Sequence, residues 1–343
     1  MTPSKSWWER LRHSSLFWPV LVLALVMGFN LIFTPNFFQL EVKDGHLFGS
    51  LVDVLNRGSP LMLLALGMTM VIATGGVDLS VGAVIAICGA TAAVLIGHTT
   101  DVTNTPLPLV IIITLGVAIL CGLWNGLLVS RGNIQPMVAT LVLMVAGRGI
   151  AQLITDGQII TIYYPPFFFI GGGYLLGLPF PLFIVVAVFF FAWLLTRRTA
   201  IGLFVESVGT NASSSFYSGI NEKNIKLLVY VFCSFCAGIG GLIISSNVKS
   251  ADANNAGLWT ELDAILAVVI GGTLMTGGRF SLAGSVIGAL LIQSVTTTIY
   301  AFGVPPEVVQ VVKAMVVLVV VLLYSEPVKL GLDKLAKRKE VQL

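Results

Sequence analysis

Long, unbroken apolar runs are the feature that most restricts how this chain can fold. The first run is Leu16–Phe33, and nine more follow it along the chain. An α-helix needs about 20 apolar residues to cross a membrane, whereas a β-strand needs about 10 residues that alternate between apolar and polar. Because these runs do not alternate, the sequence predicts an all-α fold, a polytopic membrane helix bundle with about ten transmembrane segments.

Two of the ten predicted segments are short for a full span, and each ends near paired glycines. Short segments interrupted by glycine are typical of broken helices that line a path through the membrane. We therefore expect some of the segments to be short or broken; the alternative is that their boundaries are displaced by a few residues. The ten segments are Leu16–Phe33, Leu61–Ala73, Val81–Gly97, Leu107–Val129, Ile134–Ile154, Pro181–Thr196, Leu227–Ser246, Asp263–Leu274, Ser281–Ala301 and Pro305–Leu323, of which the second and the eighth are the short ones.

The composition excludes several classes of protein. Hydrophobic residues make up 56% of the 343 residues and charged residues 10%, while soluble domains carry about 25% charged residues. A soluble core of this size could not bury so much apolar surface. A net charge of +3 over the whole chain gives no basic patch for nucleic acid. One membrane domain over residues 1–343, surrounded by lipid, is the interpretation that remains.

The Lys and Arg residues predict the orientation of the chain. If the termini, residues 1–15 and 325–343, are both cytoplasmic and the ten spans alternate, fourteen of the nineteen Lys and Arg residues lie on the cytoplasmic side. Cytoplasmic loops of membrane proteins carry an excess of these residues. The opposite orientation would invert that bias, and the sequence therefore predicts cytoplasmic termini.

The longest inner loop, residues 197–226, has helical periodicity of its own. Ile201, Val205 and Val208 recur at helical spacing, Gly209 suits a helix stop, and Asn211 suits the N-cap of a second helix. The pattern predicts a short amphipathic helix at the cytoplasmic face. A plain connector is the alternative, but a loop of this length favours a docking role.

Motifs of catalysis are missing from the chain. It contains no G-x-x-x-x-G-K-[ST], no G-x-S-x-G and no H-E-x-x-H, and its three histidines form no pattern with acidic residues. The four cysteines lie in apolar runs and are interpreted as packing residues. The sequence therefore predicts no enzyme, no catalytic residue, no metal site and no cofactor held by this chain. Any ATP would be bound by a partner subunit.

Polar residues inside the predicted segments are the candidates for function, because charge is costly at membrane depth. Asp78 and Ser80 follow a Gly-Gly pair, where they could cap the next helix or belong to a pathway. Asn125 and Gln135 suit hydrogen bonds between helices. Arg148 could bind exposed carbonyls, pair with an acid, or extend to the membrane surface. These five residues are the candidate pathway or gate residues.

Glycine patterns predict close packing and an internal relationship. The pairs Gly122/Gly126 and Gly284/Gly288 suit tight contact between helices. The stretches Val71–Ala86 and Val268–Ala289 both read as an apolar run, Gly-Gly, a polar turn and a second apolar run. They are interpreted either as counterparts in two related halves around a central path or as a chance likeness.

Six motifs together carry a family resemblance. Because of these motifs, the chain resembles the permeases of bacterial ABC importers, of the type that includes ribose and branched-chain amino acid transporters. The resemblance extends from about residue 50 to residue 325. The stretch A-D-A-N-N-A-G-L-W (251–259) resembles in particular members that carry galactofuranose. The six motifs are A-T-G-G-V-D-L-S-V-G (73–82), N-G-L-L-V (125–129), I-Q-P-M-V-A-T-L (134–141), G-R-G (147–149), L-D-A-I-L-A-V-V-I-G-G-T (262–273) and G-G-R (277–279).

The resemblance implies a permease subunit of an ATP-driven sugar importer in the bacterial inner membrane. It implies a second permease subunit, identical or homologous, an ABC ATP-binding subunit on the inner side, and a periplasmic sugar-binding protein. In the family the inner loop couples the ATPase to the path, and the chain departs from the family pattern at Ser207 and Ser213–Ser215. The candidate coupling residues are Gly202, Glu206, Gly209, Asn211 and Gly219.

An ion-coupled secondary transporter is the alternative function. It would need a group of titratable or ion-coordinating side chains near the middle of the membrane. Asp78, Arg148 and Lys313 are sparse for that purpose. A membrane enzyme is a weaker alternative, because the chain offers no convincing set of catalytic residues.

Overall fold

The computed structural model describes residues 16–43, 45–97 and 105–324, which form an all-α bundle with three short strand pairs, so the predicted fold class is confirmed. The predicted cytoplasmic termini, 1–15 and 325–343, lie outside the described residues. The helices are α1 Phe17–Phe33, α2 Ser50–Ala73, α3 Val81–Ile96, α4 Leu107–Ser130, α5 Pro136–Ile154, α6 Pro165–Gly172, α7 Phe180–Arg198, α8 Ile201–Thr210, α9 Ala212–Tyr217, α10 Glu222–Val248, α11 Thr260–Ile270, α12 Leu282–Ala301 and α13 Pro306–Tyr324. The strands are β1 Glu41–Lys43, β2 His46–Phe48, β3 Ile160–Thr161, β4 Tyr174–Leu175, β5 Leu178–Pro179 and β6 Ser250–Ala251.

Among the described residues, six helices are long and apolar enough to cross a membrane. They are α2, α4, α5, α7, α10 and α12, and α1, α3 and α8 are shorter apolar helices. The number of full spans therefore stays a prediction.

Helices α2, α3, α10 and α12 form the centre of the bundle. In α2, 83% of the apolar window is buried, against 22% in α4. A helix that is apolar on every side can be surrounded by other helices or by lipid. The central helices are surrounded by other helices, while α4, α5 and α7 lie at the periphery, where less than a third of each apolar window is buried.

The paired glycines allow helix backbones to touch, as predicted. A Cβ at Gly122 would lie 2.7 Å from the Cα of Val231 in α10, and one at Gly288 would overlap the carbonyl oxygen of Ala267 in α11. Without side chains between them, the helices gain dispersion contacts over the whole approach. These contacts fix α4 against α10 and α12 against α11.

The prediction that the second segment, Leu61–Ala73, is short is wrong. Helix α2 begins at Ser50 and not near Leu61, so it has 24 residues. The charged residues Asp53 and Arg57 lower the hydropathy of its first turns but point outward, while Val52 and Val54 are buried. The other short segment is confirmed, since α11 has only 11 residues.

The loops lie at two opposite ends of the bundle. At one end, called here the hairpin end, the N–H of Leu47 donates to the carbonyl of Gly177, the rings of His46 and Tyr174 stack, and β3 pairs with β6. At the other end, called the α8 end, α8 lies against the turns that follow α2 and α11. This grouping agrees with the alternation of spans that the sequence predicts.

Candidate functional site

Asp78, Ser80 and Asn125 form one fully buried polar cluster. The Oδ1 atom of Asp78 accepts hydrogen bonds from the backbone N–H of Ser80 (3.0 Å) and from its hydroxyl (2.6 Å). The side-chain amide of Asn125 donates to the Ser80 hydroxyl at 2.8 Å and to Asp78 at 3.4 Å. All three side chains have zero exposure. The cluster ties the turn after α2 to helix α4.

The capping role expected for Asp78 and Ser80 is wrong. Ser80 stands at the N-cap position of α3, but no backbone N–H of the first turn donates to its side chain, because that hydroxyl donates to Asp78. In the second of the two similar stretches, Ser281 does cap α12, accepting from the N–H of Gly284 at 3.1 Å. The two similar stretches thus differ where each second helix begins.

Two polar atoms of the buried cluster have no hydrogen-bond partner among the described residues. They are Oδ2 of Asp78 and Oδ1 of Asn125. The thiol of Cys233 lies beside the Asp78 carboxylate, but not in the geometry of a good hydrogen bond. A buried acceptor without a donor costs about 1–3 kcal/mol. The turn therefore carries an energetic cost that its neighbours must offset.

The turn between α2 and α3 is also held by α5 and α10. The carbonyl of Val77 accepts from the hydroxyls of Thr140 and Tyr230, each at 3.4 Å. A Cβ at Gly76 would lie 2.5 Å from the Tyr230 hydroxyl oxygen, so a larger residue there would displace the Tyr230 side chain. Three helices besides α2 and α3 thus contact one turn of the chain.

Three glycine-containing segments meet at the α8 end, and we call this contact the glycine clasp (Ala73, Gly75, Gly209, Gly277 and Gly278). The N–H of Gly278 donates to the carbonyl of Ala73 at 2.8 Å. A Cβ at Gly209 would overlap that carbonyl oxygen and lie 2.5 Å from the nitrogen of Gly278. Helix α8 therefore contacts, backbone to backbone, a turn in each of the two similar glycine-rich stretches.

Arg148 satisfies exposed carbonyls, which is one of the roles expected for it. Its guanidinium donates to the carbonyls of Ala253 (3.2 Å) and Ala256 (2.5 Å) in the segment before α11. One turn along α5, the amide of Gln152 donates to the side chain of Asn254. Arg148 thus fixes the segment that leads into the short helix α11.

Gln135 does not join the buried cluster. It is the exposed residue that precedes α5, and its carbonyl accepts the N–H of Ala139. The expected hydrogen bond from its side chain to another helix is not formed within the described residues.

The predicted amphipathic helix is present as α8. Val205 and Val208 are buried and Leu203 is 64% exposed. Asn211 caps α9, since its side chain accepts from the N–H of Ser214 at 3.0 Å.

The other candidate coupling residues shape the ends of α8 and α9. Gly202 lies against the carbonyl of Thr196, Glu206 is half-buried, and Gly219 has a φ of +83°, the left-handed conformation that favours glycine. The structure brings Gly202, Glu206, Gly209 and Asn211 onto one short element of the chain.

One ion pair, between Lys313 and Asp263, was not predicted from the sequence. The Nζ atom of Lys313 in α13 lies 2.8 Å from Oδ2 of Asp263 in α11, with 10% and 19% of the side chains exposed. The signal was available, because opposite charges within apolar segments usually pair. No three His, Cys, Asp or Glu side chains group as a metal site anywhere in the described part of the chain.

The fold and these contacts define a class of protein. Its members are multi-pass α-helical membrane proteins in which a helix outside the bundle contacts turns inside it. Residues 50–321 match the family described as the branched-chain amino acid transport system / permease component. The chain belongs to this family. It is therefore a transport permease and not an enzyme, as the sequence predicts.

Several characterised permeases are similar over nearly their whole length. The chain is 52% identical to the galactofuranose transporter permease protein YtfT of Escherichia coli strain K12, over 90% of this chain and 91% of that protein. It is 37% identical to the fructose import permease protein FruF of Bifidobacterium longum (96% and 93% covered). It is 34% identical to the ribose import permease protein RbsC of E. coli strain K12 (93% and 94% covered). No solved structure matches the chain.

The Lys313–Asp263 pair gives a prediction about stability. Lys313→Met leaves a mostly buried carboxylate unpaired, which we expect to cost about 3 kcal/mol. The double variant Lys313→Met with Asp263→Asn removes both charges and should recover most of that loss. Thermal unfolding of the purified chain in detergent measures both. Equal unfolding temperatures for the single variant and the unaltered chain would contradict the prediction.

Proposed function

We propose that this chain is the permease subunit of an ATP-driven sugar importer of the bacterial inner membrane, with galactofuranose as the cargo. The observation that carries the proposal is the 52% identity, over nine-tenths of both chains, to a permease named for that sugar. The permeases named for fructose and ribose are similar at 37% and 34%. They support a sugar as the class of cargo.

The proposed partners follow from this function. An ABC ATP-binding subunit binds and hydrolyses ATP, since the chain carries no P-loop motif. A periplasmic sugar-binding protein delivers the cargo, and a second permease subunit, identical or homologous, completes the path. Lipid covers the exposed apolar faces of the peripheral helices α4 and α7.

Helix α9 and the residues after it are the proposed surface for the ATP-binding subunit. Phe216 is 66% exposed and Tyr217 is 88% exposed, side by side at the α8 end. Exposed aromatic side chains are enriched in protein interfaces. They line a groove together with Gly219 and Ile220. In this proposal the α8 end is cytoplasmic, as are both termini.

The glycine clasp is the proposed coupling element. A partner that moves α9 also moves α8, because one residue, Asn211, joins them. Through Gly209, α8 presses directly on Ala73 at the end of α2 and on Gly278 before α12. Direct backbone contact leaves no flexible side chain to absorb the motion. Movement of α9 is thereby transmitted to both related turns together, as a rigid-body shift of helices.

The ion-coupled alternative has one observation in its favour. Asp78 is a fully buried carboxylate with an unpartnered oxygen, which a coupled ion could occupy. The family and the similar proteins lend that alternative no support.

Reconstitution distinguishes the two functions. The chain is purified with its ATP-binding subunit, placed in proteoliposomes, and supplied with galactofuranose-loaded binding protein. We expect uptake that requires ATP inside the vesicle and persists when a protonophore or sodium ionophore collapses the ion gradients. Uptake without ATP, abolished by an ionophore, would replace the proposal with the ion-coupled alternative.

Gly209→Ala tests the clasp. The added methyl overlaps the Ala73 carbonyl, and overpacking of this kind costs about 1–3 kcal/mol. We expect sugar imported per ATP hydrolysed to fall about tenfold, since one factor of ten corresponds to about 1.4 kcal/mol. The control is Gly116→Ala in α4, where a Cβ would meet no atom within 4 Å. Normal coupling in the Gly209 variant would exclude the clasp as the coupling element.

Tyr217→Asp tests the docking surface. A charge at the centre of an aromatic contact should reduce co-purification of the ATP-binding subunit by about tenfold or more. Leu176→Asp is the matched control, because Leu176 is also 88% exposed but lies at the hairpin end. Affinity purification through a tag on this chain measures both variants. Equal yields of the partner would place its docking surface elsewhere.

A further inference from the structure

A groove of about 480 Å³ lies at the α8 end, between α7 and the beginning of α12. Its walls are formed by Leu16 directly before α1, by one side of α7 from Phe189 to Arg197, and by the stretch from Phe280 to Ala283. Sites that hold small molecules usually have volumes of about 300–1,000 Å³. The groove is therefore large enough to hold part of a ligand.

The interior of the groove is apolar and mainly aromatic. Phe189, Trp193 and Phe280 line it and are half-buried. The rings of Phe190 and Trp193 stack with their centroids 5.7 Å apart. Phe190 is 59% exposed on the peripheral helix α7, so the groove continues into the apolar surface that this helix presents outward.

The two hydroxyl groups that line the groove are already engaged in the backbone of their own helices. The hydroxyl of Thr196 donates to the carbonyl of Ala192 at 2.8 Å, and that of Ser281 accepts the N–H of Gly284 at 3.1 Å. A sugar would leave several of its hydroxyls without partners here, which is unfavourable in an apolar site. A hydrocarbon chain needs no such partners, and the interior suits it better.

Arg197 lies at the end of the groove that reaches the membrane surface. Helix α7 has 19 residues and is about 28 Å long at 1.5 Å per residue, close to the roughly 30 Å of a hydrocarbon core. Its last two residues, Arg197 and Arg198, are exposed and therefore reach the headgroup layer. Trp193, one turn earlier, lies where aromatic side chains are enriched at the membrane boundary.

The charge at this end of the groove is positive. Arg198 follows Arg197, and the exposed Arg279 directly precedes Phe280 on the other wall. None of the described lining residues is acidic, and no salt bridge joins the three arginines to an acidic side chain in the part of the chain that the structure describes. Guanidinium groups bind phosphate through parallel hydrogen bonds, and basic pockets between transmembrane helices bind acidic headgroups.

Charge also argues against two other occupants of the groove. Residues 1–15, which precede Leu16 and lie outside the described residues, carry Lys5, Arg10 and Arg12 against the single acid Glu9. This segment has the same sign of charge as the end of the groove. A second copy of the chain that met this one symmetrically across the groove would bring two pairs of arginines together.

We propose that this groove is a binding site for a phospholipid with a negatively charged headgroup. One acyl chain lies along Phe190 and Trp193, and the phosphate binds Arg197. Helix α7 leads into α8 after two residues, and α12 begins shortly after Gly278, so the lipid bridges the two helices that flank the glycine clasp. The proposal does not depend on the identity of the cargo.

The first test measures lipid binding by the purified full-length chain. Dioleoyl phosphatidylglycerol or dioleoyl phosphatidylcholine is titrated into the chain in a neutral detergent, and native mass spectrometry counts the lipids retained. We expect one phosphatidylglycerol to be retained at about tenfold lower concentration than phosphatidylcholine, because only the former carries a net charge for Arg197 to bind.

Arg197→Gln should weaken retention of phosphatidylglycerol about tenfold and leave phosphatidylcholine unaffected, since the bidentate contact with phosphate is lost. The matched control is Arg131→Gln, because Arg131 is also exposed and follows α4 but does not line the groove. Equal retention of the two lipids, or equal losses in the two variants, would mean non-specific attraction and would overturn the site. Retention of no lipid at all would equally overturn it.

The second test concerns the acyl chain. Ala283→Phe narrows the groove from the α12 side while Arg197 stays in place. We expect phosphatidylglycerol retention to fall about tenfold, while the unfolding temperature without added lipid stays near that of the unaltered chain. Ala146→Phe, at an exposed alanine of α5 outside the groove, is the control and should retain the lipid normally. Normal retention by Ala283→Phe would place the lipid elsewhere and overturn the proposal.

Discussion

Direct contact between backbones, possible only where side chains are absent, is the constraint on which the rest of this structure depends. Helices approach each other through Gly122 and Gly126, and again through Gly284 and Gly288. Between helices in a membrane, dispersion and short hydrogen bonds must replace the hydrophobic driving force of a soluble core. The glycine clasp uses the same physics at the α8 end, where a surface helix meets two turns without intervening side chains.

Polar contacts inside the bundle fix particular parts of the chain, although Oδ2 of Asp78 and Oδ1 of Asn125 have no hydrogen-bond partner among the described residues. The cluster of Asp78, Ser80 and Asn125 holds the turn after α2, and Arg148 holds the segment before α11. Lys313 and Asp263 join α13 to α11. Because an unpaired polar group is costly at this depth, these contacts determine where the chain can deviate from a helix.

Hydropathy alone predicted most of the helices to within a few residues. Segments such as Pro181–Thr196 correspond closely to α7, and the amphipathic pattern of 201–208 correctly predicted α8. The beginning of α2 was missed because hydropathy averages over Asp53 and Arg57, which the helix carries on an exposed face.

The contacts of the candidate site were less predictable from the sequence. Asp78 and Asn125 were both singled out, but their pairing across 47 residues depends on packing. The clasp had no side-chain signal at all, since glycines and backbone atoms form it. The left-handed conformation of Trp259 likewise carries no mark in the sequence, because the residue type argues against it.

The clasp also has a consequence for biosynthesis. Its three segments, around residues 73, 209 and 278, are far apart along the chain, so the contact closes only after the ribosome has released residue 278. Until then Gly209 of α8 can contact Ala73 but not Gly278. A truncated or stalled chain therefore lacks part of the contact that holds α8, and through Asn211 also α9, until its synthesis is nearly complete.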